Sequence, residues 1–375
     1  MNHSGHGHRT AFLDQLTAMA TLGGHGMMVA PLGWGKTDGL RKAHKALMDT
    51  RLLPVFMDLF TAASTPERLL GALAESVRPA MDGDGEIDRL AAEGLKDRRT
   101  APAALLAAMN RIAGSGAAKR IVWLIDEVTE IRSLAYFPEL GEVEKPFWAM
   151  VEAGPASILT SSYIGLAEAL FPSAPVKRMP GLGASDLHPS LLRSRARRDL
   201  EAALSLTGGG ASSLLPLLED MEQTGDLVES ATRLLQPGAS LETSCRLRYD
   251  ILLMRSRGYA VSKRAAEVAA STRTGRLTDL APLIGRTPGA SRQYLRWLVE
   301  VGLLVQVRKR YDFADPFLGL WAGLYLGRAD YPTTAQIAKA IAERICQAAP
   351  VEPDEALREE ARPPVRRPDR FEEID

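Results

Sequence analysis

The eight residues Ala30-Pro31-Leu32-Gly33-Trp34-Gly35-Lys36-Thr37 constrain this chain more than any other stretch. Ahead of them runs Gly26-Met27-Met28-Val29, short and apolar, as suits a buried strand. Behind them Leu40, Ala43, Leu47 and Met48 recur on one face of a helical pattern. In the order strand, glycine-bearing loop, helix, consecutive backbone N–H groups converge on phosphate oxygens at the positive end of the helix. Lys36 adds a point charge for the β- and γ-phosphates, and Thr37 a hydroxyl ligand for Mg²⁺. The strict pattern opens on glycine. Ala30 stands there instead, which is tolerable where φ stays negative.

A second stretch completes the chemistry. Arg120-Ile121-Val122-Trp123-Leu124-Ile125-Asp126-Glu127 is apolar and β-branched until it ends in two carboxylates, as a central parallel strand should be. Ligands bind at the carboxyl ends of such strands. Asp126 is expected to hold Mg²⁺ through water, and Glu127 to orient or deprotonate an attacking water. Another strand, Ala156-Ser157-Ile158-Leu159-Thr160, ends at Ser161-Ser162, whose hydroxyls are candidates to sense the γ-phosphate. ATP and Mg²⁺ are the expected ligands, and ATP hydrolysis the expected reaction. A nucleotide kinase fits less well, because paired acids suit activation of water and no acceptor pocket is evident.

Bulk properties exclude several other classes. The chain has 375 residues, 46% hydrophobic and 25% charged, enough for two or three domains. With 46 basic and 46 acidic residues the net charge is zero, so charge has to be read locally. Cys245 and Cys346 are the only cysteines and lie far apart, which fits a reducing compartment. No apolar run approaches the ~18 residues of a membrane helix. The N-terminus lacks a signal-peptide core, so a cytoplasmic location with no membrane partner is expected.

In chain order, residues 1–10 form a mobile leader carrying His3, His6 and His8, and an amphipathic helix with Phe12, Leu13, Leu16 and Met19 follows. Leu53–Leu59 suits a second strand. Ser64-Thr65-Pro66-Glu67 starts a helix, with Ser64 expected as its cap. Residues 79–99 are expected as a surface excursion, with a helix at 101–113 beyond it. Alternating strands and helices imply a parallel sheet covered by helices over 11–184. After Pro175-Val176-Lys177-Arg178 the strand signal stops. Residues 185–244 are expected as a helical lid, broken by Thr207-Gly208-Gly209-Gly210; the arginines at 193, 195, 197 and 198 suit a solvated helix face.

Residues 245–348 suit a winged helix–turn–helix domain with C-terminal helices, and 349–375 a disordered tail. Its helices are expected at Lys263–Ala270, Leu277–Ile284 and Ala290–Val301, with Arg286 in the turn. Arg292, Gln293 and Arg296 would face the major groove of duplex DNA, and Arg308-Lys309-Arg310 would form a basic wing. Between 262 and 310 there are ten Lys and Arg against three Asp and Glu, a local net of +7. Such domains also dock proteins, so a protein partner stays open beside DNA.

Together these stretches resemble the archaeal-type ATPases, a branch of the STAND and AAA-like P-loop NTPases. The most distinctive match is Tyr311-Asp312-Phe313-Ala314-Asp315-Pro316-Phe317-Leu318-Gly319-Leu320-Trp321, which is similar to the family's winged-helix ending. The Leu206–Gly209 break resembles its lid glycine motif, though without the proline that often follows. The resemblance covers about residues 10–327. It implies an ATP-driven switch in regulation, mobile-element or defence biology, whose winged helix reports nucleotide state. It also implies that Arg178, in a Pro-x-x-Arg segment, could act as an arginine finger on its own subunit's nucleotide or, in a homo-oligomer, on a neighbour's; an arginine that only packs or pairs at the domain edge stays open beside it.

Overall fold

The computed structural model describes residues 8–347, apart from 49, 82–84, 172–173, 189–190, 192–196 and 273–274. His3 and His6, Arg193 and Arg195, and the tail from 349 lie outside the described residues.

Helix α1 (His8–Thr21) starts ahead of the expected position because its first N–H groups find a remote acceptor. The Asp186 carboxylate accepts from Arg9 N at 3.3 Å and from Thr10 N at 3.0 Å. Strand β1 (His25–Val29) leads through the glycine loop into α2 (Lys36–Leu47), which buries Leu40, Ala43 and Leu47. Met48 lies past the end of α2 and is exposed. Next come β2 (Leu53–Asp58), the single-turn α3 (Leu59–Ala62) and α4 (Pro66–Val77). The cap of α4 is Thr65, one residue later than expected, because Pro66 occupies the first helical position.

The expected surface excursion is replaced by helix α5 (Gly85–Lys96), with Ile87, Leu90, Ala91 and Gly94 buried. Those positions share one helical face, and charge on the other face hid the pattern. Helix α6 (Ala101–Ala113) then precedes β3 (Ile121–Asp126), a 3-10 stretch Val128–Tyr136, α7 (Glu144–Glu152), β4 (Ala156–Ser161), α8 (Ile164–Leu170) and β5 (Val176–Arg178).

The five strands form one parallel sheet in the order β2-β3-β4-β1-β5. Both faces are covered. Ile121, Trp123 and Ile125 of β3 pack into the core under α4 to α7, while Val122 and Leu124 pack under α1 and α2. Double-sided burial explains why β3 is apolar at every position until its last. The topology also puts β4 between the loop-bearing β1 and the acid-bearing β3. The tip of β4 therefore lies between the two halves of the site.

The second half of the chain is built from α9 (Arg197–Thr207), α10 (Ala211–Thr224), α11 (Leu227–Leu234), α12 (Ser240–Arg255) and α13 (Tyr259–Thr272). After them come β6 (Gly275–Arg276), α14 (Leu277–Ile284), α15 (Pro288–Glu300), β7 (Leu304–Val307), β8 (Arg310–Phe313), α16 (Pro316–Tyr325) and α17 (Thr334–Gln347). A small antiparallel sheet orders its strands β6-β8-β7. Arg308 and Lys309 turn β7 into β8 with φ of 48° and 65°, the left-handed conformation a two-residue hairpin requires. One continuous core takes in Tyr163 and Leu187 and runs on from Leu200 of α9 to Ile341 of α17.

Candidate active site

The loop from Ala30 to Gly35 has the backbone a phosphate cradle needs. Gly33 and Gly35 take φ of +84° and +88°, which side chains strongly disfavour. Ala30 is not among the residues with positive φ, so its methyl group is accommodated without strain. Gly35 caps α2 with no side-chain hydrogen bond, leaving first-turn N–H groups for an anion.

Lys36 is 4% exposed and its ammonium is fully engaged. Its Nζ donates to Ala30 O at 3.1 Å and to Ser162 Oγ at 2.7 Å, and pairs with Glu127 Oε1 at 3.2 Å. Glu127 is gripped in turn by Ser162, through Oγ at 2.5 Å and backbone N at 2.8 Å. Burial pushes the Glu127 carboxyl up, but Lys36 and the two Ser162 bonds outweigh it and hold it below the usual carboxylate range. Glu127 also has φ 49° and ψ 50°, a left-handed conformation that costs a non-glycine residue about 1 kcal/mol. Its N–H is tied to Thr160 Oγ1 at 3.1 Å, which keeps the carboxylate at the strand tip.

Asp126, 3% exposed, accepts from Thr37 Oγ1 at 2.5 Å and from Thr160 Oγ1. A hydroxyl and a carboxylate in contact are hard oxygen donors of the kind Mg²⁺ takes, with phosphate and water oxygens completing its shell. Thr37 and Asp126 thus fit the metal, and the loop fits its phosphates.

The two serines separate in role. Ser162 joins Lys36 and Glu127, whereas the Ser161 hydroxyl is bonded to Thr129 Oγ1 at 2.9 Å and to Tyr163 N at 2.9 Å. Arg178 sits on the edge strand β5, exposed and in register with Val29, beside the start of the loop. Arg286, Arg292, Gln293, Arg296, Arg308, Lys309 and Arg310 are all exposed on the second half, and Arg296 pairs with Glu300 at 3.0 Å.

Several residues at the site carry no sequence signal. Arg9 is buried; its Nε donates to Pro180 O at 3.1 Å, and its Nη1 lies 3.4 Å from where a Cβ on Gly35 would stand. Burial pulls its pKa down to about 10 against the pull of Asp186 and Asp38. From the second half, Arg255 pairs with Glu130 at 2.9 Å, and Arg248 approaches Leu32 O. The turn after α15 also touches the site: a Cβ on Gly302 would run into the Ser162 carbonyl. A polar residue just before a strand end could have flagged Thr160. Nothing local marks the arginines.

A parallel sheet of this order, with a glycine loop at the tip of β1 and paired acids at the tip of β3, has the fold of a Walker-type ATPase. The Walker-type ATPase PABY2304 of Pyrococcus abyssi superposes with a TM-score of 0.59 at 14% identity, over 83% of this chain and 94% of its own. That span extends beyond the sheet into the helical half. Cdc6p from Pyrobaculum aerophilum overlays less closely, with a TM-score of 0.38 at 14% identity over 90% of this chain and 94% of its own. A mutant RuvB of Thermotoga maritima also gives 0.38, at 10% identity over 80% and 88%. No protein-family model and no curated protein matches the chain. Among the described residues, no helix is long and apolar enough to cross a membrane.

Proposed function

We propose that this chain is an ATP-operated switch of the archaeal-type ATPase group. It binds Mg-ATP through Ala30–Thr37, hydrolyses it slowly, and couples nucleotide state to a helical lid over 185–244 and a DNA-binding winged helix over 245–348. The observation that carries this reading is the single hydrogen-bonded cluster of Lys36, Glu127 and Ser162, with the Thr37–Asp126 contact beside it. In that cluster the phosphate lysine and the general base neutralise each other. A triphosphate competes for Lys36, which frees Glu127 to accept a proton from water while Ser162 keeps it aimed. Thr37 would ligate Mg²⁺ and Asp126 would hold it through water, and the ion, when bound, would supply charge neutralisation on the phosphates. Slow turnover follows from the role, since a switch must outlast each signal. The test is titration of the full chain with an ATP analogue and Mg²⁺, together with phosphate release from ATP. Absence of binding up to about 1 mM overturns the reading.

For the winged helix, support comes from the outward Arg292 and Gln293, the exposed hairpin tip Arg308-Lys309-Arg310, and the local excess of +7. The full chain is expected to bind duplex DNA with a slope of log affinity against log salt of about −0.9 per phosphate neutralised. Arg308→Ala should flatten that slope by about one contact, and Gln293→Ala should mainly relax sequence preference. One observation favours a second reading, in which this domain makes intramolecular or protein contacts without DNA. The C-terminal end of α15 and Gly302 pack on α8 and Ser162. No retardation of duplex DNA at low salt selects it.

Arg178 is proposed as a finger acting on a γ-phosphate. Its support is its place on the edge strand beside β1, and its planar donors suit the charge on a transferring phosphoryl group. Arg178→Ala is expected to lower turnover by ~10³-fold without loss of binding. If it acts between subunits, specific activity rises with protein concentration, and mixing with Lys36→Ala protein restores turnover. Normal hydrolysis by Arg178→Ala excludes both forms.

A further inference from the structure

The tip of the phosphate loop is held from outside by the second half of the chain. Leu32 O lies 3.5 Å from Arg248 Nη1 of α12, and Gly33 O accepts from Ser212 N of α10 at 2.9 Å. The Trp34 indole lies against the Thr207–Gly210 break, with Nε1 3.0 Å from where a Cβ on Gly210 would stand. A side chain on Gly33 would collide with the Ser212 hydroxyl. Holding a peptide carbonyl outward turns the N–H of the same peptide unit the opposite way. For Leu32, that inward N–H belongs to Gly33.

Arg248 is fixed for this task. It is 6% exposed; Nη1 pairs with Asp315 Oδ2 at 2.6 Å, and Nη2 donates to Ser213 Oγ at 3.1 Å. Asp315 also caps α16, accepting from Phe317 N at 2.9 Å and Leu318 N at 3.1 Å. Seven residues on from Arg248, Arg255 pairs with Glu130 beyond Glu127, and its guanidinium lies 4.9 Å from the Tyr163 ring. Positions seven apart share a helix face, so one face of α12 touches both the loop and the segment after the acidic pair.

The junction is also under-satisfied. Arg248 Nε, Ser212 Oγ and Trp34 Nε1 are three of the seven buried side-chain nitrogen and oxygen atoms without a partner among the described residues. Unmet buried polar groups cost free energy, so this part of the interface gains from any rearrangement that meets them.

We propose that Arg248, anchored by Asp315 and Ser213, is a positioning residue that sets the phosphate loop for nucleotide and transmits loop occupancy to α12 and α16. This rests on the ATP-binding reading above. Linkage makes the effect reciprocal: if α12 favours the binding-competent loop, nucleotide favours the docked α12.

The test uses the full chain, a fluorescent ATP analogue with Mg²⁺ in stopped flow, and hydrogen exchange over 240–255 and 315–325. In the wild type, nucleotide is expected to slow exchange in both segments. Arg248→Lys keeps the charge but loses the fork; it should release nucleotide about tenfold faster, with kcat changed far less, and should lose the exchange response. Should that variant not fold, Ser213→Ala keeps the Arg248–Asp315 pair and should release about threefold faster. A merely structural Arg248 would lower the melting temperature and leave release unchanged. Wild-type release rates in the folded variants, or no exchange response in the wild type, overturn the inference while the ATP reading stands. A wild type that binds no nucleotide overturns both.

Discussion

Lys36→Ala abolishes nucleotide binding, and Glu127→Gln leaves binding intact while turnover falls by about 10²–10⁴-fold: this pair of results is expected from the cluster at the tips of β1, β3 and β4. Lys36 is the buried cation that joins the loop to Glu127 and Ser162, and charge-assisted contacts to phosphate contribute ~1.5–3 kcal/mol each. Its removal also takes from Glu127, 9% exposed, the cation that holds its carboxyl ionised, so burial drives that carboxyl towards its protonated form and the cluster that aims it is broken. Glutamine at 127 preserves shape and can still bond Ser162, but it cannot take a proton from water. Analogue titration and phosphate release separate the two effects. A Glu127→Gln protein that turns over ATP at the parent rate removes Glu127 from the base role.

The other large effect concerns stability. Arg248→Met is expected to cost about 3–5 kcal/mol, because it strands the Asp315 carboxylate in a site where it is 2% exposed. Asp315→Leu strands Arg248 and also removes two capping bonds at the start of α16, for roughly 1 kcal/mol more. The double variant should cost clearly less than the two singles together, since no charge is left buried alone. Denaturant unfolding followed by tryptophan fluorescence measures all three. Additive costs, or a single variant within about 1 kcal/mol of the parent, mean that the pair does not hold α12 to α16.

Legibility in the sequence followed range. Lys36, Thr37, Asp126 and Glu127 sit in two short stretches whose residue types suit only a few environments, and both stretches fall at strand ends in the structure. The basic hairpin was equally legible, because two strands joined by Arg308 and Lys309 are a local feature. Helix α5 was missed although its pattern is local, since Gly85, Gly94 and mixed charge outweighed Ile87, Leu90 and Ala91 in a short window. The left-handed Glu127 could not be anticipated; its backbone N–H is bonded to Thr160 of the neighbouring strand and its carboxylate to Ser162 just beyond that strand.

By itself, then, the sequence determined the alternation of strands and helices, the glycine loop, the acidic strand end and the outward arginines of α15. All of these depend on neighbours within a few positions. Tertiary structure alone decided that β4 separates β1 from β3 and so delivers Ser162, and not Ser161, to both Lys36 and Glu127. It alone decided that Asp186 caps α1 from 176 positions away, and that Arg248 meets Asp315 and Leu32 from 67 and 216 positions away. Periodicity and capping are written into consecutive residues. A pairing between distant charges is selected only when the sheet order and the shared core bring them out of water together, where each leaves the other's burial uncompensated if it is lost.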